Sequence, residues 1–135
     1  MNERVYRQSK YPWIHRPEHP RSTRRGNILE HRWLMEQNIG RPLPPDSIVH
    51  HRNREKHDNR IENLLLMRSE DDHFAIHRAL ESGRLDLVAA YENWSYEFMD
   101  NLKSGLPLEK CYPSRPFPLP QISRPIFILR KNPNL

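Results

Sequence analysis

The chain has 135 residues, of which 36% are hydrophobic, with a formal net charge of +5 and a single cysteine. That length allows one domain, or one compact domain with extensions, and the low apolar share leaves a small core. A lone Cys111 excludes a disulfide framework and a cysteine-based zinc site, and no apolar stretch is long enough to span a bilayer.

The N-terminus, MNERVYRQSK, is mostly polar and has no signal-like apolar run. With the single cysteine, this sets a reducing, cytoplasmic expectation. Charge is uneven: residues 1–68 carry 14 Lys/Arg against 8 Asp/Glu, whereas residues 69–135 carry 8 against 9. A one-sided basic surface is the footprint of a polyanion binder, most often nucleic acid, although charge alone equally serves solubility.

In chain order, residues 1–27 are rich in Arg and Pro, with Tyr11, Trp13 and Ile14 interleaved. They read as a basic arm or irregular lead-in with room for a short strand. Residues 28–38 place Ile28, Leu29, Trp33, Leu34 and Met35 at helical spacing, with Gly40 as the stop and Pro42, Pro44 and Pro45 beyond it. Ile48 and Val49 open a short β run into His50 and His51, residues 52–60 are turn-like, and Leu64 to Met67 form a second β run. The pair predicts a hairpin with a long loop. Ser69 followed by Asp72 resembles a capping box, so a helix is predicted from there to about Leu80, with Gly83 as its stop.

Leu87, Tyr91, Trp94, Phe98 and Leu102 form one stripe of an amphipathic helix over roughly 85–103, ended by Gly105. Residues 106–135 are proline-rich without a clear period and read as an extended or polyproline tail.

The informative run is VHHRNREKHDNRIENLLLMRSEDDHFAIH, from Val49 to His77. His73 and His77 stand four apart on the predicted helix and so share one face, where they can chelate one ion. Taken alone, that spacing is more often just two solvated histidines. The hairpin before the helix, however, delivers His50 and His51 to it. Three imidazoles with an open position suit a catalytic metal site better than a closed structural one, and the fourth histidine is then free to act as a base.

This run resembles the HNH endonucleases of the ββα-metal superfamily. The likeness is strongest to the phage-borne, homing-type group, on GNILEHRWLMEQNIGRPLPPDSIVHH and DNRIENL, and it covers about residues 17–80. It implies an α+β fold: a small ββα-metal core with flanking helices and a proline-rich C-terminal tail. The chain then divides into a basic arm (1–27), a nuclease core with its upstream helix (28–82), an amphipathic helix (83–105) and the tail (106–135).

Carried over by resemblance, His51 is the general base and Asn63 either orients it or pins the loop. His50 and His73 are metal ligands, with His77 a third by likeness to the colicin-type site. The implied reaction is hydrolysis of DNA phosphodiester bonds with one divalent ion. Histidine ligation favours Zn²⁺, Ni²⁺, Co²⁺ or Mn²⁺, while phosphodiester sites also run on Mg²⁺. Where the group has an Ile-Asp-Gly-like turn, this chain has Arg52-Asn53-Arg54; the glycine is lost, and Asn53 is a residue that tolerates left-handed backbone geometry.

Arg52, Arg54, Arg60, Arg24 and Arg25 are candidate DNA contacts, against the alternative of a solvated face. Asn59 is expected to structure the loop, and His15, His19, His31 and His57 are not expected to be ligands. DNA is the implied partner, with no membrane association and room for a homodimer or a phage protein partner; a phage origin would place the protein in a bacterial host cytoplasm. Two rivals are a non-catalytic DNA-binding module with a structural zinc, and an accessory nuclease of a phage DNA-packaging assembly.

Overall fold

The computed structural model describes residues 3–5 and 10–115. Its elements in order are β1 (Arg4–Val5), β2 (Trp13–His15), β3 (Asn27–Leu29), α1 (Glu30–Ile39), β4 (Ile48–His51), β5 (Leu64–Met67), α2 (Glu70–Glu81) and α3 (Leu85–Lys103), with short 3₁₀ turns at Ile61–Asn63 and Leu108–Lys110. The class is α+β.

β1, β2 and β3 form an antiparallel sheet in which Trp13 faces Leu29 and Ile14 faces Ile28. This changes two expectations. The described part of the basic arm is built into the fold, and Ile28 and Leu29 belong to a strand, so the helix starts only at Glu30. The reason is pairing: the β-favouring Trp13 and Ile14 offer Ile28 and Leu29 a cross-strand partner, and Ile14 becomes fully buried. Gly26 makes the return before β3 possible. Its φ is +82°, and a Cβ there would lie 2.9 Å from both His15 Cε1 and Pro17 Cβ. α1 ends as predicted at Gly40, whose φ of 75° closes the helix through a bond from its N–H to the Glu36 carbonyl.

β4 and β5 form the expected hairpin, with Val49 opposite Leu66 and His50 opposite Leu65. All four residues of β5 are buried, because α1, α2 and α3 cover the strand between them. Ser95 of α3 serves the strand directly. Its Oγ accepts from the Leu66 N–H at 3.0 Å and donates to the Leu66 carbonyl at 2.9 Å, satisfying two backbone groups that β4 leaves unpaired. Tyr91, Trp94, Phe98 and Leu102 of the predicted stripe are buried in the same core; Leu87 is half-buried.

Two further expectations change. Ser69 precedes α2 but makes no side-chain cap bond, and Asp72 pairs with Arg115 at 3.1 Å instead of closing a capping box. Arg115 outcompetes the cap because it brings a full charge to a carboxylate that is nearly inaccessible to water. Residues 106–115, read as the start of an extended tail, pack on the core: Cys111 is fully buried and the Tyr112 ring stacks on Phe98 at 4.8 Å. The remainder of the proline-rich segment, 116–135, lies outside the described residues.

Candidate metal centre and the neighbouring histidine

Successive residues of a strand point to opposite faces, so the adjacent histidines of β4 are sent in different directions. His50 faces α2, where its ring centroid is 5.1 Å from that of His73 and 4.9 Å from that of His77. His73 and His77, one helical turn apart, have ring centroids 4.6 Å apart and Nε2 atoms 3.1 Å apart. One ligand atom from each of the three lies within 4.8 Å of the others.

These residues fit a divalent cation. His50 Nδ1 is buried without a hydrogen-bond partner, an arrangement that costs free energy unless something accepts its lone pair or its proton. Burial drives the His50 pKa down to about 3, helped by His73 and His77, and drives that of His73 down to about 4, helped by His77 and His51. Burial also lowers the His77 pKa, helped by Arg54. At neutral pH all three are uncharged imidazoles, the form that binds metals.

His51 faces away from this cluster, towards α1. Its ring meets His31 edge-on at 5.1 Å and lies 6.2 Å from Tyr11. Its Nε2 is 2.6 Å from Asn59 Oδ1, and Asn59 Nδ2 in turn donates to Glu30 Oε1 at 2.7 Å. The structure thus separates two asparagine roles. Asn63 does not bond His51: its Oδ1 accepts from the Asn53 N–H at 3.0 Å, and its Nδ2 donates to Asn53 Oδ1 at 2.9 Å and to the Asp58 carbonyl at 2.8 Å. The hydrogen bonds of the Asn63 side chain thus lie within the loop.

Asn59, expected only to structure the loop, is the partner of His51. His31, not expected as a ligand, does not join the cluster but is buried against His51, and burial lowers its pKa to about 3 with His51 as the next cause. Nothing in the spacing of Asn59, Glu30 or His31 distinguishes them; only the fold brings α1 against the loop. The residue of the turn that takes the left-handed conformation is Arg54, at φ 65°. Asn53 uses its side chain instead, accepting from the Glu55 N–H at 2.9 Å and donating to Asp58 at 2.8 Å.

His50, His51, His73 and His77 line one pocket of about 230 Å³ together with Tyr11, Val49, Arg54 and Lys56. Of the candidate arginines, Arg54 lines this pocket. Arg52 forms a two-pronged ion pair with Glu92 at 3.1 and 3.2 Å, and Arg60 does the same with Asp58 at 2.8 Å. The Arg60 guanidinium holds the Asp58 carboxyl well below the usual carboxylate range. Arg24 and Arg25 sit at a separate surface recess beside Trp13 and Thr23. Lys56, which the sequence did not single out, lines the histidine pocket and holds its ammonium 5.0 Å from the Tyr11 ring centroid.

A hairpin and a helix presenting histidines from three places to one pocket define the ββα-metal class. Residues 29–73, a third of the chain, match the model of the family described as HNH endonuclease. The match runs from the end of β3 to the first histidine of α2; His77 lies beyond it. That match suggests nuclease or DNA-binding activity in general terms, and a divalent metal is typical of the matched family. No curated protein and no solved structure matches the chain. Among the described residues, no helix is long and apolar enough to cross a membrane.

Proposed function

We propose that the protein is a metal-dependent DNA endonuclease that hydrolyses phosphodiester bonds, with His51 as general base and His50, His73 and His77 holding one divalent ion. The observation that carries this reading is the convergence of three neutral imidazoles and His51 on one pocket that also holds Arg54 and Lys56. When bound, a divalent ion supplies positive charge to the phosphate oxygens and to the departing oxygen.

The chain's own residues do the rest. Arg54 and Lys56 attract and hold the DNA backbone at the pocket mouth. His51 takes a proton from water, whose oxygen forms the new bond to phosphorus as the bond to the leaving oxygen breaks. That oxygen then takes a proton from solvent. Asn63 keeps the 52–63 loop closed so that Arg54 stays beside the histidines. One site per chain cuts one strand, so a double-strand break requires two copies or two encounters.

The test is cleavage of supercoiled plasmid with EDTA, Mg²⁺, Mn²⁺, Ni²⁺ or Zn²⁺, with His51→Ala alongside. The expected result is metal-dependent nicking by the wild type that falls by at least about 100-fold in the folded variant, in line with the loss of a general base. DNA binding without cleavage in any metal would sink the reading and leave a non-catalytic binding module.

A further inference from the structure

A buried polar chain ties α1 to the hairpin. Glu30, Asn59 and His51 are 4%, 7% and 7% exposed, so bulk water cannot replace their hydrogen bonds. Glu30 Oε1 lies 2.8 Å from Arg4 Nη2 and 2.7 Å from Asn59 Nδ2. A carboxylate held in an ion pair only accepts hydrogen bonds, so it must face the NH₂ end of the Asn59 amide. The carbonyl end then faces His51 Nε2, at 2.6 Å, and an amide oxygen also only accepts. The reverse orientation of the amide would set its oxygen against the carboxylate oxygen, two acceptors with no hydrogen between them, and lose the bond to Glu30.

We propose that Glu30, acting through Asn59, fixes His51 as the tautomer with hydrogen on Nε2, leaving Nδ1 as the basic atom of the site. Both are positioning residues. Nδ1 makes no hydrogen bond to any described residue, and His51 lines the pocket that the three clustered histidines share. When Nδ1 takes the proton of water, the imidazolium that forms already donates from Nε2 to the Asn59 carbonyl, with the Glu30 carboxylate behind it. The orienting carboxylate of the base therefore comes from a helix 29 positions upstream of Asn59, outside the hairpin and α2. The assignment of a catalytic role to that tautomer rests on the endonuclease reading above; the tautomer itself does not.

The test has a spectroscopic arm and a kinetic arm on the full chain. Long-range ¹H–¹⁵N spectra at pH about 8, with and without Zn²⁺, report which nitrogen of His51 carries hydrogen, the His51 signals being assigned by their absence in His51→Ala. The expected spectrum shows a protonated Nε2 and a bare Nδ1, replaced in Asn59→Ala by a mixture of tautomers. In plasmid cleavage Asn59→Ala should lose about 10- to 100-fold in kcat, the range usual for residues that orient a functional group, with KM and Zn²⁺ affinity little changed. Asn59→Asp sets two carboxylates against each other and should lose as much. Combining it with Glu30→Gln restores a donor facing an acceptor and should recover most of the rate, which a purely structural role would not predict.

Should Asn59→Ala fail to fold, the paired exchange still decides the matter. Hydrogen on Nδ1 in the wild type, or an unchanged tautomer in folded Asn59→Ala, would overturn the proposal. The expected tautomer in a protein that cleaves in no metal would overturn the endonuclease reading and support the assignment of Nε2–H by Asn59.

Discussion

Asn53 and Asn63 show how much a single amide can hold in place. The two side chains bond each other and the intervening backbone, closing a loop whose left-handed residue is an arginine rather than a glycine. A non-glycine residue in that conformation costs about 1–2 kcal/mol, and the asparagine pair offsets it. Asn63→Ala would leave the Asn53 N–H and the Asp58 carbonyl without these partners. The expected loss is about 1–3 kcal/mol in urea denaturation, together with loss of cleavage. A variant as stable as wild type would show that the loop closes without the pair. The residue types needed here were legible in the sequence. What was not legible is which asparagine meets His51: Asn59 and Asn63 sit four apart in one polar loop, and their amides are chemically identical.

At the level of elements, the site is the meeting of a strand and a helix. Helical periodicity alone puts His73 and His77 on one face; only the packing of α2 against the hairpin brings His50 to them. That packing also buries them, and burial has a pH consequence. In the unfolded chain each histidine titrates near its ordinary value of 6.5, whereas in the fold His50 is held at about 3 and His73 at about 4. Below pH 6.5 the unfolded chain therefore binds more protons than the folded one. The stability these residues contribute is complete above that pH and declines as pH falls towards 4 and then 3. The metal-free protein should show a Tm that is flat near pH 7–8 and drops steadily below about 6.5. Added Zn²⁺ or Ni²⁺ should raise Tm at pH 7.5 and much less at pH 4.5, where protons compete for the same lone pairs. Differential scanning fluorimetry across that range checks both; a Tm that does not change between pH 4 and 7 would refute the first.

For the molecule as a whole, residues 106–115 act as a clasp across the back of the core. Trp94 Nε1 donates to the Pro113 carbonyl at 2.9 Å, Asn101 Nδ2 donates to the Cys111 carbonyl at 2.9 Å, and Arg115 reaches the buried Asp72 at the start of α2. Burial pushes the Asp72 carboxyl up, and the Arg115 guanidinium beside it pulls the other way. Removing that partner strands a buried charge. Arg115→Ala should cost about 2–3 kcal/mol in chemical denaturation, and adding Asp72→Asn should recover part of it by removing the uncompensated charge. No recovery in the double variant would mean that Arg115 acts through its packing instead. Since the clasp holds the N-terminal end of the helix that carries His73 and His77, ending the chain after Gly105 should weaken metal binding as well as stability.

Local chemistry was enough to announce the hairpin, the two later helices and the histidine cluster, because strand propensity, helical period and imidazole spacing all act between near neighbours in the chain. Long-range pairing is of another kind. Ile28 and Leu29 satisfy a helical pattern and a strand pattern equally well, and β2 alone decides between them. Arg115 becomes a partner of Asp72 only when the chain returns over α3, and Glu30 meets Asn59 only when α1 packs on the loop. Each of these choices depends on which buried polar or apolar group finds a partner after the chain has closed on itself, and that is settled by tertiary contact.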